Sequence, residues 1–218
     1  MRQIKIPAVF MRGGTSKGLV IHRRDLPPDQ SKWDLIFASA LGSPDSYMRQ
    51  LDGMGGGLSS LSKVCIISLS SRPDADVDYT FAQVLINTSH VDYSAICGNM
   101  TAVVGPFAID EGIISCDKSM ATVRIYNTNT NKIILAHFPM EDGFAAVDGD
   151  LEISGVSGTG ASLQLEFLDP GGATTGKLLP TGNCTDILKI SNGKKFEVSM
   201  VDASNACVFI KASDIGMS

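Results

Sequence analysis

Apolar residues along this chain come in short, often β-branched runs separated by glycine-rich or polar turns. Ile4–Met11 and Leu19–Ile21 read as strands on either side of Arg12-Gly13-Gly14-Thr15-Ser16-Lys17-Gly18, a unit that ends at Pro27-Pro28. Trp33, Ile36, Phe37, Ala40 and Leu41 then recur at helical spacing, with Gly42 placed to stop the helix. Val64–Leu69 and Tyr79–Ile86 follow as strands, the second alternating through Tyr79, Phe81 and Gln83. After Cys97-Gly98-Asn99, the stripe Met100, Val103, Val104, Phe107 and Ala108 predicts a helix with Asn99 as its N-cap. Pro106 removes a backbone donor inside that run, so the helix is expected to be short or kinked.

Beyond Gly112 the texture changes. Ala121–Tyr126, Lys132–Phe138, Leu163–Leu168, Phe196–Val201 and Ala206–Lys211 are all strand-like, with little helical periodicity between them. That change predicts a boundary near residues 112–118, dividing a first unit, 1–115, from a second, 116–218. No repeat or low-complexity segment is evident.

Composition narrows the class. Hydrophobic residues make up 44% of the 218 and charged residues 19%, which suits a globular chain rather than a disordered one. A net charge of −5 without a basic run argues against a nucleic-acid surface. Neither the start of the chain, Met1 to Pro7, nor any later segment has the apolar length of a signal peptide or of a membrane span. The five cysteines lie far apart with no CxxC spacing, so neither a zinc site nor a full disulfide set is suggested. A reducing, cytoplasmic compartment follows as the expectation. The histidines (His22, His90, His137) stand singly, without ligand spacing.

Candidate chemistry lies in three glycine-rich elements: Arg12–Gly18, Asp52–Lys63 and Cys97-Gly98-Asn99. Amides freed by glycine and flanked by hydroxyls make pockets for small anions such as carboxylates, although each element taken alone reads equally well as a turn. None is a P-loop or a dinucleotide fingerprint. A cysteine is as a rule a small buried hydrophobe, and Cys65 and Cys207, inside apolar runs, are read as core. Cys97 differs because it precedes a helix start and is followed by Gly-Asn, a setting that favours a reactive thiol. Lys63 closes a hydroxyl-rich loop where an apolar strand begins. There it is either a solvated edge or a desolvated amine suited to proton transfer.

Met11-Arg12-Gly13-Gly14-Thr15-Ser16-Lys17-Gly18, Leu51-Asp52-Gly53-Met54-Gly55-Gly56-Gly57 with Ser59-Ser60 and Ser62-Lys63-Val64, and Cys97-Gly98-Asn99-Met100-Thr101 with Gly105-Pro106-Phe107-Ala108 resemble the signature segments of the 2-methylaconitate cis–trans isomerase family. Gly171-Gly172-Ala173, Leu178-Leu179-Pro180-Thr181-Gly182 and Val201-Asp202-Ala203-Ser204-Asn205 are similar to its later segments. The resemblance implies an α/β (α+β) diaminopimelate-epimerase-like fold: a curved, mostly antiparallel sheet around a central helix, then a second similar domain with the site between the two. It implies proton-shifting isomerisation of an unsaturated di- or tricarboxylic acid without metal or organic cofactor. Matched motif by motif, Cys97 and Lys63 are the acid–base pair. Thr15, Ser16, Gly56, Gly57, Ser60, Gly98 and Asn99 line the site, and Asn205 reaches it from the second domain.

Family chains are nearly twice this length, so the second domain is expected to be incomplete here. A homo-oligomer, or pairing with a further segment, would cover an otherwise open apolar face. Two alternatives stand beside the isomerase: a non-catalytic carboxylate-binding or accessory protein, and a tautomerase or epimerase of the same fold. An epimerase needs a second cysteine facing Cys97, and neither Cys184 nor Cys207 lies in a comparable glycine-flanked loop. The sequence leaves open whether 2-methylaconitate, aconitate, methylitaconate or oxalomesaconate is the substrate, and which of Cys97 and Lys63 removes the proton.

Overall fold

The computed structural model describes residues 3–217. A hairpin of β1 (Val9–Gly13) and β2 (Ser16–His22) leads to α1 (Trp33–Leu41), then to β3 (Lys63–Leu69), β4 (Val77–Val84) and the short β5 (Val91–Asp92). α2 (Gly98–Thr101) and α3 (Val104–Asp110) follow, and the rest is strand. These strands are β6 (Met120–Asn127), β7 (Lys132–Glu141), β8 (Phe144–Ala145), β9 (Leu151–Glu152), β10 (Thr159–Gly160), β11 (Gln164–Phe167), β12 (Asp186–Lys189), β13 (Lys195–Ala203) and β14 (Asn205–Ile210).

The main sheet runs β1-β2-β3-β4-β6-β7-β11, with β5 and β8 at its margins. Only β2/β3 and β4/β6 pair in parallel; every other neighbour is antiparallel. Strand alternation sends side chains to two separate cores. Val20, Cys65, Ile67, Tyr79 and Phe81 face α2 and α3, which bury Met100, Val103, Val104, Phe107, Ala108 and Ile109 against them. Leu19, Ile21, Val64, Ile66, Ala82 and Val84 face the other way, against Trp33, Phe37, Ala38 and Leu41 of α1. Helices as short as α2 and α3 are marginal by themselves in water. Burying their larger side chains, at about 1.5–3 kcal/mol each, is what holds them.

α1 ends as its sequence predicts, with Gly42 in the left-handed conformation at φ 79°. The second helical segment differs from expectation in two ways. It breaks after Thr101, and Pro106 falls at the third residue of α3, where its missing N–H costs no intrahelical bond. Its N-cap is Cys97, with extended φ −110° and ψ 105°, rather than Asn99. Asn99 lies inside the first turn, its side chain occupied elsewhere.

The sheet does not change at residues 112–118. β6 and β7 continue the sheet of β1–β4, with Val77 of β4 paired to Ile125 of β6, and both sides contribute to one core. Asp76 and Arg124 reinforce this junction by an ion pair of 2.7 Å, by the Asp76 N–H donating to the Arg124 carbonyl and by the Arg124 N–H donating to the Asp76 carboxylate. The change of sheet comes between β11 and β12, and β12-β13-β14 form a separate antiparallel sheet. A split at 115 therefore cuts a hydrogen-bonded unit; Met1, Arg2 and Ser218 of the two expected ranges lie outside the described residues. Cys207, expected in a core, is exposed on β14 beside Val208 and Phe209, whereas Val198 and Asp202 of the neighbouring β13 are buried. Among the described residues no helix is long and apolar enough to cross a membrane.

Candidate active site

The β1–β2 turn is built to let α2 approach. A Cβ on Gly13 would meet the backbone carbonyl of Asn99, and one on Gly14, at φ +53°, would meet the side-chain oxygen of Asn99. With both absent, Asn99 donates its side-chain amide to Thr15 Oγ1 at 3.0 Å and to Ser16 Oγ at 3.3 Å. Thr15, Ser16 and Asn99, far apart in sequence, thereby form one polar cluster. Gly98 is open beside them, with no atom within 4 Å of a Cβ placed there. Gly13, Gly14, Gly98 and Asn99 share a cleft of about 460 Å³. A larger hollow of about 880 Å³ lies between α1 and the loop after it, away from these residues.

Cys97 is half-buried at the mouth of α2, its carbonyl oxygen accepting the hydroxyl of Thr101 at 2.9 Å. The helix it caps is a single turn before the break, so the dipole at this position is smaller than the sequence suggests. Lys63 heads β3 and is 8% exposed. Strand alternation puts it on the α2 side, two residues before Cys65, and Gly18 of β2 runs alongside it. Its amine donates to Gln83 Oε1 at 2.6 Å and sits 5.1 Å from the centroid of the Phe81 ring. Among the described residues it has no carboxylate partner.

Cys65 is fully buried in the core against which Cys97 packs. Burial pushes its thiol up to about 12, a hydrogen bond to Tyr79 draws it down, and Cys97 and Lys63 act on it with opposite signs. The Tyr79 hydroxyl, also fully buried, is raised well above its ordinary value, again mainly by burial. Both groups stay neutral at working pH. The expectation that Cys65 is core is therefore met, and one core thiol lies within electrostatic reach of both Cys97 and Lys63.

The remaining predicted residues divide. Ser60 is in the turn Ser59–Leu61, whose Ser59 carbonyl, like that of Ser62, accepts from Gln83, so this loop adjoins Lys63. Gly57 donates its amide to Gln50, a buried side chain that also donates to Ser43 and Ser62 and so fixes the glycine loop. Gly56 packs on Leu61, which shares a hollow with Thr15 and Ser16. Asn205 is not brought to the cluster. It is exposed on β14, and among the described residues no hydrogen bond joins it to the others. Sequence reasoning missed Gln83 as a partner of Lys63 and Thr101 as an anchor of Cys97. The alternation through Tyr79, Phe81 and Gln83 was the signal that Gln83 faces the same side as those rings. No group of three His, Cys, Asp or Glu side chains among the described residues is placed to hold a metal ion.

A family model described as "PrpF protein" matches residues 3–218. The chain is 50% identical over 216 residues to the 3-methylitaconate isomerase of Eubacterium barkeri, an alignment covering 99% of this chain and 56% of that protein. It is 42% identical over 226 residues to the 2-methyl-aconitate isomerase of Shewanella oneidensis, covering 98% and 57% respectively. A crystal structure of methylitaconate-delta-isomerase superposes with a TM-score of 0.79 at 50% identity, over 98% of this chain and 54% of that one. A hydroxyproline epimerase from Agrobacterium vitis gives a TM-score of 0.55 at 10% identity, over 96% and 53%, a likeness of fold alone. The chain spans little more than half the length of these relatives. The epimerase-like architecture implied by the motifs is thus the one observed.

Proposed function

The chain belongs to the PrpF protein family, and from that premise we propose that it is a cofactor-independent isomerase shifting a proton in an unsaturated di- or tricarboxylic acid. Two observations support this reading: Cys97 packs against the core that contains Cys65, Tyr79 and Phe81, with the Lys63 amine beside the Phe81 ring, and Asn99, two residues after Cys97, joins Thr15 and Ser16 in one polar cluster. Relatives named for 3-methylitaconate and 2-methyl-aconitate supply the substrate class.

One of the pair removes a proton from the carbon next to the double bond. The electrons of that C–H bond delocalise into the conjugated carboxylate as an extended enolate. Reprotonation at another carbon by the second group returns the proton and leaves the double bond moved or re-formed. Hydroxyls of Thr15 and Ser16, the Asn99 amide and the backbone opened by Gly98 are suited to holding the carboxylate oxygens on which charge develops. Lys63, nearly buried and without a carboxylate partner among the described residues, is suited to a bound carboxylate, because an unpaired buried charge is costly.

The test is proton exchange by the full polypeptide in D2O, with 2-methylaconitate, 3-methylitaconate and 4-oxalomesaconate as the panel, read by NMR. Deuterium entering the allylic position together with isomerised product supports the reading. Binding of these acids without exchange would point instead to a carboxylate-binding protein, and absence of both would overturn the substrate class.

A further inference from the structure

We propose that Gln83 is the positioning residue for Lys63, setting where its amine points and, by being neutral, leaving it uncompensated until an acid binds. The proposal rests on the reading of Lys63 as a proton-transfer group. Lys63 and Gln83 are direct cross-strand partners of β3 and β4. The side-chain NH2 of Gln83 donates to the carbonyls of Ser59 at 3.0 Å and Ser62 at 2.9 Å. Those two acceptors use both of its N–H bonds. The amide oxygen must then face the opposite way, where it accepts from Lys63 Nζ at 2.6 Å. Flipping the amide would set its NH2 against an amine and its oxygen against two carbonyls, so the orientation is locked.

Phe81, two residues along β4, holds the same amine against its ring at 5.1 Å. One contact is a neutral dipole and the other a π-face, so the amine is gripped without being neutralised. A glutamate has the same size, but its charge would pair the ammonium permanently, compete with a carboxylate substrate and set a second oxygen against the Ser59 and Ser62 carbonyls. Titratable groups on this face are Cys65 of β3, Tyr79 of β4 and Cys97 before α2; burial keeps the first two neutral. Lys17 of β2 is turned to the Phe10 ring at 5.5 Å, Arg12 of β1 donates to the Gly14 carbonyl, and the Ser59–Leu61 turn carries no ionisable side chain.

The experiment follows acetylation of Lys63 by acetic anhydride against pH, read by peptide mass, in wild type, Gln83→Glu and Gln83→Met. In Gln83→Glu the labelling curve moves to higher pH by roughly one to three units, the effect of an opposite charge at hydrogen-bond distance, and in Gln83→Met it moves lower. The limb of kcat/KM that belongs to Lys63 moves with it in the full chain. A merely structural residue would lower the rate without moving the limb. A measurement on unsubstituted protein removes dependence on folding of the variants: the Gln83 side-chain amide signal in 15N NMR titrates in step with the Lys63 labelling curve. An unmoved curve in folded Gln83→Glu, or an amide signal that does not respond, overturns the proposal. Undiminished exchange in Lys63→Met would sink the catalytic reading of Lys63 while leaving the labelling result intact, so the two failures are distinguishable.

Discussion

Gly13 lies so close beneath Asn99 that any side chain there would strike the Asn99 carbonyl. This contact sets the distance between the β1–β2 turn and the first turn of α2, and with it the bonds from Asn99 to Thr15 and Ser16. Gly13→Ala should therefore cost about 1–3 kcal/mol, the range for overpacking a rigid contact, and should lower exchange by displacing Asn99. Urea unfolding measures the first and deuterium incorporation the second. A variant of unchanged stability would show that the turn has room the geometry denies it.

Gly98→Ala tests the opposite situation on the same segment. A methyl group there meets nothing within 4 Å, and alanine is the better helix residue, so the melting temperature should hold or rise slightly. The methyl projects into the space beside Cys97, so KM for the acid should rise or kcat fall. Full activity at full stability would place the substrate elsewhere.

These glycines also show what the sequence discloses. Gly42 ending α1, the strand at Tyr79–Phe81 and the apolar stripe from Met100 to Ala108 were legible because period and punctuation act locally. Asn99 was misassigned as a cap because its residue type suits that role, while the backbone turns one step earlier at Cys97 and the Asn99 side chain is drawn to a turn more than eighty residues back. The continuity of the sheet across residues 112–118 was hidden for a related reason. A change from mixed to all-strand texture marks how one sheet is completed here, and only the pairing of β4 with β6 reveals the continuity. Cys207 sits in a run that reads as core, yet burial depends on what covers a face, which no local pattern states. Gln83 became visible as a site element only through its contact with Lys63.

The five cysteines should separate under limited alkylation. Cys184 and Cys207 are exposed and Cys97 and Cys116 half-buried, so all four should take up iodoacetamide in the native protein. Cys65, buried and with its thiol pushed up to about 12 from 9.0, presents about a thousandfold less thiolate at any pH below 9. It should label only after denaturation. Early modification of Cys65 in folded protein would contradict the core that places Lys63 and Cys97 around it.

Asp76 joins the two parts of the main sheet through Arg124. Burial tends to raise its carboxyl, but the side-chain and backbone hydrogen bonds and the charge of Arg124 outweigh that and hold it below the ordinary 3.8. A carboxyl lowered on folding adds stability above its unfolded value, and that stability is lost as pH falls through the lower folded value. Asp76→Asn should destabilise by about 1–3 kcal/mol near neutrality, toward the lower figure because the pair is partly exposed. The difference from wild type should shrink below about pH 4. A penalty independent of pH would mean that the loss is one of packing alone.

Cys97→Ser and Lys63→Met together decide which group removes the proton. Serine keeps the shape and the Thr101 bond to the Cys97 carbonyl, so the fold should survive, but an alcohol is far too weak an acid to replace a thiol near neutral pH. Loss of one acid–base group should slow turnover about 10²–10⁴-fold. Exchange separates the two half-reactions, because deuterium enters recovered substrate only when the first proton is removed and returned. If Cys97 removes it, Cys97→Ser loses exchange and isomerisation together, while Lys63→Met retains exchange into recovered substrate. If Lys63 removes it, the pattern reverses. Full isomerisation in Cys97→Ser would exclude the thiol from the reaction and leave Lys63 as the acid–base group of the pair.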